Sequence, residues 1–223
     1  EEFLGRLNRE LEADKEKQNL YGIQLNMSCP SPQVINLGQG SALVKRTKKA
    51  ISLINTLLNQ EKFKISAKAR LGLNFQDVKE GKIFDLLYEL EQLKNKNFSH
   101  LIIHLKHARE PSQAEYNYEI LKEITNYKIP IIINGGITSY KDFNNIMKTL
   151  KPENRRNIKG IMLGREVLKN PDCFIPISNM LNSTLLQERG KEKINKEFNN
   201  LIKEHEPKEI YLKTIKQYCD WFS

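Results

Sequence analysis

Polar and small residues recur along the chain at intervals of roughly 30 to 40 residues, about the length of one strand–helix unit. Each group ends or directly follows a short apolar run, where a protein core has no use for such residues. Glycine lets backbone N–H groups approach a phosphate closely, and a guanidinium binds phosphate through two parallel hydrogen bonds. The glycine-containing groups therefore predict phosphate binding. The groups are Asn26 with Cys29, Lys68 with Arg70, His104 with Lys106, Asn134-Gly135-Gly136, and Gly164-Arg165.

The apolar runs beside these groups predict five buried strands. Four segments between these strands carry apolar residues at helical spacing, and Ser139 with Asp142 predicts the N-cap of the last one. Strands that alternate strictly with helices indicate parallel βα units. The predicted strands are Gly22–Met27, 65–71, 101–104, 129–133 and 160–163, and the predicted helical segments are 43–58, 83–93, 118–124 and 143–150.

Parallel α/β proteins build their sites at the carboxyl ends of the strands, because the loops there surround one crevice. Lys68 and Arg70 are two residues apart and therefore lie on one face of their strand. A single lysine or histidine at such a position is more often a core ion-pair partner or a satisfied core group. Five groups at equivalent positions instead predict one shared site.

The two glycine segments follow consecutive predicted strands, and the phosphate site of a (β/α) barrel often lies after strands 7 and 8. On that basis the strands present correspond to numbers 4 to 8. A complete barrel needs about 250 residues, whereas the chain has 223. We therefore expect a partial TIM (β/α) barrel, whose missing strands are supplied by the rest of a longer chain or by another subunit.

Beyond Pro171 the alternation stops, and the segments 175–186, 191–203 and 208–222 read as helices. The expected organisation is a barrel portion over 1–175 followed by an incomplete helical domain over 176–223.

Composition and net charge indicate the class of binding partner and the cellular compartment. The net charge of +9 and pI near 9.3 favour a polyanionic partner such as RNA, although a general enrichment in lysine explains the charge equally well. No run approaches the roughly 18 apolar residues of a membrane span. The three cysteines form no CxxC pair, which indicates a reduced, cytoplasmic setting. No metal site is expected.

An ordered set of motifs runs through the chain. This set resembles the signatures of the tRNA-dihydrouridine synthase family, which are flavin-dependent (β/α) barrel enzymes, and the resemblance covers roughly residues 20 to 222. The motifs are Asn26-Met27-Ser28-Cys29-Pro30-Ser31-Pro32, Gly38-Gln39-Gly40-Ser41-Ala42-Leu43, Lys68-Ala69-Arg70-Leu71-Gly72, His104, Asn134-Gly135-Gly136-Ile137, and Gly164-Arg165 with Asn170-Pro171.

The resemblance implies reduction of tRNA uridines to 5,6-dihydrouridine with FMN and NADPH or NADH, and a tRNA-binding helical C-terminal domain. It implies that Cys29 is the catalytic acid that protonates uracil C5. The implied FMN ligands are Lys68, His104, Asn134, Gly135, Gly136, Gly164 and Arg165, and the implied substrate ligands are Asn26, Arg70 and Lys106.

Three departures from the family pattern accompany the resemblance. Ser28 replaces the usual glycine before the cysteine, and Lys106 stands where the family generally has arginine. The family's N-terminal flavin-binding segment has no counterpart, so we expect a fragment of a longer protein that is inactive alone.

Two other functions remain open. Dihydroorotate and dihydropyrimidine dehydrogenases carry a similar N-x-S-C-P motif and act on free pyrimidines, but the Gly38–Leu43 sequel and Lys68-Ala69-Arg70 argue against them. The other is a non-catalytic tRNA-binding fragment. Sequence does not indicate which tRNA position is modified, the preferred nicotinamide cofactor or the oligomeric state.

Overall fold

The computed structural model describes residues 22–61 and 63–169, together with Gly5 and Arg9. These residues divide between two compact units, one holding the described residues up to 137 and 144–163, the other 138–143 and 164–169. The predicted helical domain and its boundary near residue 176 lie outside the described residues. In the part that is described, no helix is long and apolar enough to cross a bilayer.

The first unit contains a five-stranded, fully parallel sheet in which the strands follow chain order. The predicted parallel βα architecture is therefore confirmed, and the sheet is consistent with part of a TIM-like barrel. All five strands occur where the apolar runs predict them, with shifts of a few residues at their ends. They are β1 (Gly22–Met27), β2 (Lys64–Arg70), β3 (Phe98–His104), β4 (Ile131–Asn134) and β5 (Ile158–Met162).

Helices connect the strands, and some helices are short. A 3₁₀ helix spans Gly40–Leu43, so that the first long helix begins only at Thr47 rather than at residue 43. The α-helices are α1 (Pro32–Asn36), α2 (Thr47–Leu58), α3 (Phe75–Lys79), α4 (Lys82–Gln92), α5 (Leu121–Ile124), α6 (Tyr140–Thr149), α7 (Pro152–Arg155) and α8 (Arg165–Lys169).

The predicted cap of α6 is present. The hydroxyl of Ser139 accepts a hydrogen bond from the backbone N–H of Asp142 at 3.2 Å. In return, the Asp142 carboxylate accepts the backbone N–H groups of Thr138 and Ser139, each at 3.0 Å. These bonds satisfy N–H groups that a helix start leaves without intrahelical partners.

The predicted helix over 118–124 is only one turn long. Tyr118 has helical spacing relative to Leu121, but its hydroxyl donates to the carbonyl oxygen of Gly135 at 3.0 Å. The backbone N–H of Asn117 donates to the carbonyl oxygen of Leu105 at 3.0 Å. These contacts hold Asn117 and Tyr118 against the ends of β3 and β4, and the helix begins only at Leu121.

The two faces of the sheet differ in polarity. One face carries mainly buried aliphatic residues and forms the core, where full burial of a Leu or Ile side chain contributes about 1.5–3 kcal/mol. The other face carries polar and charged residues. The first face includes Ile65, Ala67, Ala69, Leu101, Ile103, Ile131 and Ile133, and the second includes Asn26, Ser66, Lys68, Arg70, His104 and Asn134. Alternation along each strand thus separates the core from the candidate site.

Candidate active site

Strand register brings the predicted site residues into two adjacent rows at the carboxyl ends of the strands. Arg70 pairs with His104 across β2 and β3, and His104 pairs with Asn134 across β3 and β4. Two residues earlier, Asn26 pairs with Lys68. Because paired residues of parallel strands point to the same face, these five side chains share one face and one edge of the sheet. The predicted gathering of these residues is therefore present.

Cys29 lies just after β1 in a loop whose backbone is held on both sides. The Asn26 amide oxygen accepts the Ser28 N–H at 3.0 Å and the Ser28 hydroxyl at 2.9 Å. The Ser28 carbonyl accepts the Arg70 Nε–H at 2.9 Å. On the other side, the Cys29 carbonyl accepts both the backbone N–H of Ser41 at 3.1 Å and its hydroxyl at 2.9 Å. The thiol-bearing residue is thus fixed between β1, β2 and the 3₁₀ helix.

Gly40 explains why glycines follow the cysteine motif. It has φ +55°, in the left-handed region that favours glycine. A Cβ atom at this position would lie 2.8 Å from the Cys29 carbonyl oxygen, 2.9 Å from Cγ1 of Val34 and 3.0 Å from Cβ of Cys29. Only a residue without a side chain allows the 3₁₀ helix to approach the Cys29 loop this closely.

Arg70 joins the Cys29 loop to the segment after β3. Besides its bond to Ser28, the guanidinium donates through Nη1 to the carbonyl oxygen of His107 at 3.4 Å. Burial lowers the pKa of Arg70, and the electrostatic effects of Tyr116, Glu110 and Cys29 oppose that shift. Arg70 therefore positions two loops and places a positive charge near the thiol.

The side chain of Lys68 is half-buried, and its ammonium makes no hydrogen bond or ion pair with any residue that the structure describes. Burial lowers the pKa of its ammonium, and the positive charge of Arg70 lowers it further. A partly desolvated lysine without a counter-ion is electrostatically unfavourable. An anionic or electron-rich ligand at this face would relieve that cost.

His104 is held as a neutral imidazole in one tautomer. The Asn134 amide donates through Nδ2 to the Met162 carbonyl oxygen at 2.8 Å, which leaves its Oδ1 facing His104 Nδ1 at 2.9 Å. Because Oδ1 can only accept, Nδ1 of His104 must carry the proton. Burial first, and then the charge of Arg70, lowers the pKa of His104 to about 4. Nε2 is therefore unprotonated at neutral pH and accepts hydrogen bonds.

The Gly135-Gly136 turn after β4 packs against aromatic side chains. Both glycines have positive φ, +110° and +71°, and a Cβ on either would collide with the Tyr116 ring. Within the described residues, the backbone N–H groups of Gly135, Gly136 and Ile137 donate to no protein acceptor. Unpaired consecutive N–H groups of this kind suit an anion.

Tyr116 is a site residue that the sequence reasoning missed. Its ring meets the His104 ring edge-on, with 5.6 Å between centroids. The ammonium of Lys106 lies 4.2 Å from the Tyr116 centroid. Tyr116 belongs to a long segment after β3, and long loops at strand ends often carry function. The length of that segment and its two tyrosines are the sequence features that could have indicated Tyr116 as a site residue.

Lys106 is directed inward. It is 2% exposed, and Nζ donates to the carbonyl oxygens of Pro111 and Ser112 at 3.3 and 2.9 Å. This geometry supports a role in holding the loop after β3. A direct contact between Lys106 and RNA stays a sequence prediction.

Gly164 and Arg165 belong to the second compact unit. Gly164 follows β5, and Arg165 is the first residue of α8. A Cβ on Gly164 would meet nothing within 4 Å. Their role in phosphate binding stays a sequence prediction.

A parallel βα sheet presents a thiol, a lysine without a partner among the described residues and a neutral imidazole at the carboxyl ends of its strands. This class of α/β protein is consistent with part of a TIM-like barrel, whose sites lie at the same strand ends. The family model described as dihydrouridine synthase (Dus) matches residues 11–223. The chain belongs to the dihydrouridine synthase family, which confirms the resemblance of its motifs.

Several bacterial proteins are similar to this chain. A probable tRNA-dihydrouridine synthase of Staphylococcus epidermidis is 29% identical over 166 residues, which are 74% of this chain and 48% of that protein. One from Staphylococcus aureus is 27% identical over 197 residues, 88% of this chain and 54% of that protein. The probable tRNA-dihydrouridine synthase 2 of Bacillus subtilis is 28% identical over 184 residues, 82% of this chain and 50% of that protein. The chain spans about half the length of the curated relatives it matches.

Proposed function

We propose that the protein to which this chain belongs is an oxidoreductase that reduces uridines of tRNA to 5,6-dihydrouridine. FMN is the proposed bound cofactor and NADPH or NADH the proposed reductant. The observation that carries the proposal is the clamped Cys29 loop next to Lys68 and His104, in a chain of the dihydrouridine synthase family. Since Cys29 is a free thiol, a reducing compartment such as the cytoplasm suits the reaction.

Cys29 is the proposed proton donor. Saturating the C5=C6 bond of uracil adds a hydride at C6 and a proton at C5, and FMN, when bound, supplies the hydride. The thiol of Cys29 gives its proton to C5 and is left as a thiolate. Arg70 interacts electrostatically with Cys29, so its positive charge stabilises that thiolate. Solvent protons restore the thiol.

The strand ends fit FMN by the chemistry of their free groups. Lys68 offers a cation that has no partner among the described residues to the electron-rich edge of a flavin, whose negative charge it would stabilise. His104 offers Nε2 as an acceptor for a ligand N–H or O–H. The N–H groups at Gly135 and Gly136 offer donors for a phosphate. Gly164 and Arg165 are further candidates for the phosphate on the sequence pattern.

The tRNA side of the site is proposed to involve Asn26 and Arg70, since both lie at the strand ends beside Cys29. Asn26 is exposed on the site face, and its amide nitrogen is not used in holding Ser28. It is therefore placed to hydrogen-bond a uracil carbonyl.

The test uses the full-length protein that contains this chain. Purified protein should be yellow with bound FMN. It should form dihydrouridine in unmodified tRNA when NADPH or NADH is added, while free uracil and dihydroorotate should remain unchanged. Turnover of free pyrimidines without turnover of tRNA would establish the dehydrogenase alternative. Binding of tRNA by a flavin-free, inactive full-length protein would establish the non-catalytic alternative.

A further inference from the structure

A basic groove lies among helices of the first unit, and none of the site residues at the strand ends lines it. Its volume is about 780 Å³, and it runs from the start of α2 to the exposed side of α4. We call it the α2–α4 groove. Four exposed cations and an exposed aromatic residue line it: Lys45, Arg46, Lys48, Lys49 and Tyr88.

The cations of the α2–α4 groove lack ion-pair partners among the residues that the structure describes. None of its four cations forms an ion pair with another residue in the described ranges. Of its two carboxylates, Asp85 lies 3.7 Å from the ammonium of Lys82, and Glu89 forms no ion pair among the described residues. Four neighbouring positive charges without counter-ions repel one another and attract a polyanion.

The aromatic residues of the α2–α4 groove favour a nucleic acid over other polyanions as its ligand. Tyr88 is 55% exposed in the groove. Phe84 and Tyr127 also line the groove as a half-buried stacked pair, with ring centroids 6.3 Å apart and 19° between planes. Cations that track phosphates together with an exposed ring that stacks on a base or ribose are the combination that binds RNA strands.

The groove is connected to the Cys29 loop. The Arg46 guanidinium packs directly over Gly38, where a Cβ would collide with it. Gly38 leads into the segment in which Gly40 and Ser41 hold Cys29. One of the groove's cations therefore contacts the segment that supports the Cys29 loop.

We propose that the α2–α4 groove binds the sugar–phosphate backbone of the substrate tRNA at a distance from the target uridine. This inference rests on the proposed function and adds a second contact surface to it. The groove supplies affinity and orientation, whereas the strand ends carry out the chemistry.

The test measures how the affinity of the full-length protein for tRNA depends on salt. The variant Lys45→Gln/Lys48→Gln/Lys49→Gln removes three cations from the groove. Each phosphate contact contributes about 0.7 to 0.9 to the slope of log affinity against log salt concentration, so the slope should fall by about 2 to 3. The KM for tRNA should rise, while kcat at saturating tRNA and FMN content should stay unchanged.

A control variant with the same change in net charge is Lys94→Gln/Lys96→Gln/Lys151→Gln. These lysines are exposed and lie outside the groove. This control should change the slope far less than the groove variant. Equal slopes in the two variants would overturn the groove assignment.

Substitutions of Tyr88 test the stacking contribution separately from the charges. Tyr88→Phe should retain tRNA affinity, whereas Tyr88→Ala should weaken binding at least about five-fold, since stacking needs the ring and not the hydroxyl. Wild-type affinity in Tyr88→Ala would overturn the stacking role.

The wild-type protein separates the two proposals. If it forms dihydrouridine while the groove and control variants behave alike, the groove assignment alone fails. If it neither binds tRNA nor forms dihydrouridine, the proposed function fails and the groove assignment fails with it. A groove that binds poly-glutamate as tightly as tRNA at equal charge would show an acidic-protein site instead and overturn the assignment.

Discussion

Substitution of Gly40 by alanine should displace Cys29 while leaving the rest of the fold intact. An L-residue at φ +55° costs about 1–2 kcal/mol. The new Cβ would also lie 2.8–3.0 Å from the Cys29 carbonyl oxygen, Val34 and the Cys29 Cβ, whereas carbon contacts are optimal at about 3.5–4.0 Å. The Cys29 backbone must therefore move by about 0.5–1 Å, and the expected loss of stability is about 2–4 kcal/mol.

The displacement of Cys29 should reduce the turnover rate by more than the loss of folded protein alone would. A misplacement of about 1 Å in a catalytic group can reduce a rate by about 100-fold. The assay compares Gly40→Ala and wild-type full-length protein for the rate of dihydrouridine formation, for urea denaturation and for the rate at which Cys29 is alkylated, followed by peptide mass spectrometry. We expect slower turnover, lower stability and an altered alkylation rate at Cys29.

Gly160 supplies the matched control. A Cβ there would meet only Cγ1 of Ile132 at 3.9 Å, and its backbone is not in the left-handed region. Gly160→Ala should therefore leave turnover unchanged and keep or slightly raise stability. Wild-type turnover and stability in Gly40→Ala would refute the claim that the 3₁₀ helix fixes Cys29.

Three further predictions concern the strand ends. Lys68→Met should lower FMN affinity at least about ten-fold. It should not lower stability, because it removes a partly desolvated charge that has no partner among the described residues. Flavin fluorescence titration measures the affinity, and an unchanged affinity would exclude Lys68 as a ligand. The pKa of His104 is lowered from 6.5 to about 4, so its stabilising contribution is complete above pH 6.5 and is lost as the pH falls towards 4. The loss is at most about 3 kcal/mol, reduced to about 1–2 kcal/mol by solvent screening. Denaturation curves of wild type and His104→Gln should diverge in this window, and parallel pH profiles would contradict it. Tyr116→Phe should be stable, whereas Tyr116→Ala should lose about 1–3 kcal/mol on urea unfolding; equal stability of the two would show that the ring does not support the site.

The strands are predictable from sequence because buried parallel strands are short apolar runs, and polar residues obscure only their ends. β3 begins at Phe98 rather than at residue 101, since Ser99 and His100 interrupt the apolar run although the ladder already pairs Phe98 with Ile65. The short α5 is not predictable in the same way. The spacing of apolar residues predicts that the helix begins at Tyr118. Only the hydrogen bond from the Tyr118 hydroxyl to Gly135 shows that this residue is fixed outside the helix.

The site is partly predictable for a related reason. Parallel register at strand ends gathers Arg70, His104 and Asn134 whatever the loops do. What the side chains contact depends on the loops, which sequence spacing does not place. The sequence therefore does not predict Tyr116 as a site residue. It also does not predict that Lys106 binds carbonyl oxygens of its own loop.

The role of Cys29 is tested most directly by a single turnover of full-length protein whose flavin has first been reduced, with tRNA dihydrouridine measured by mass spectrometry. Cys29→Ala should slow product formation by about 100-fold or more, the usual contribution of a positioned proton donor, with bound FMN and unfolding midpoint as in wild type. Product formation by Cys29→Ala at the wild-type rate would contradict the assignment of the thiol as the acid.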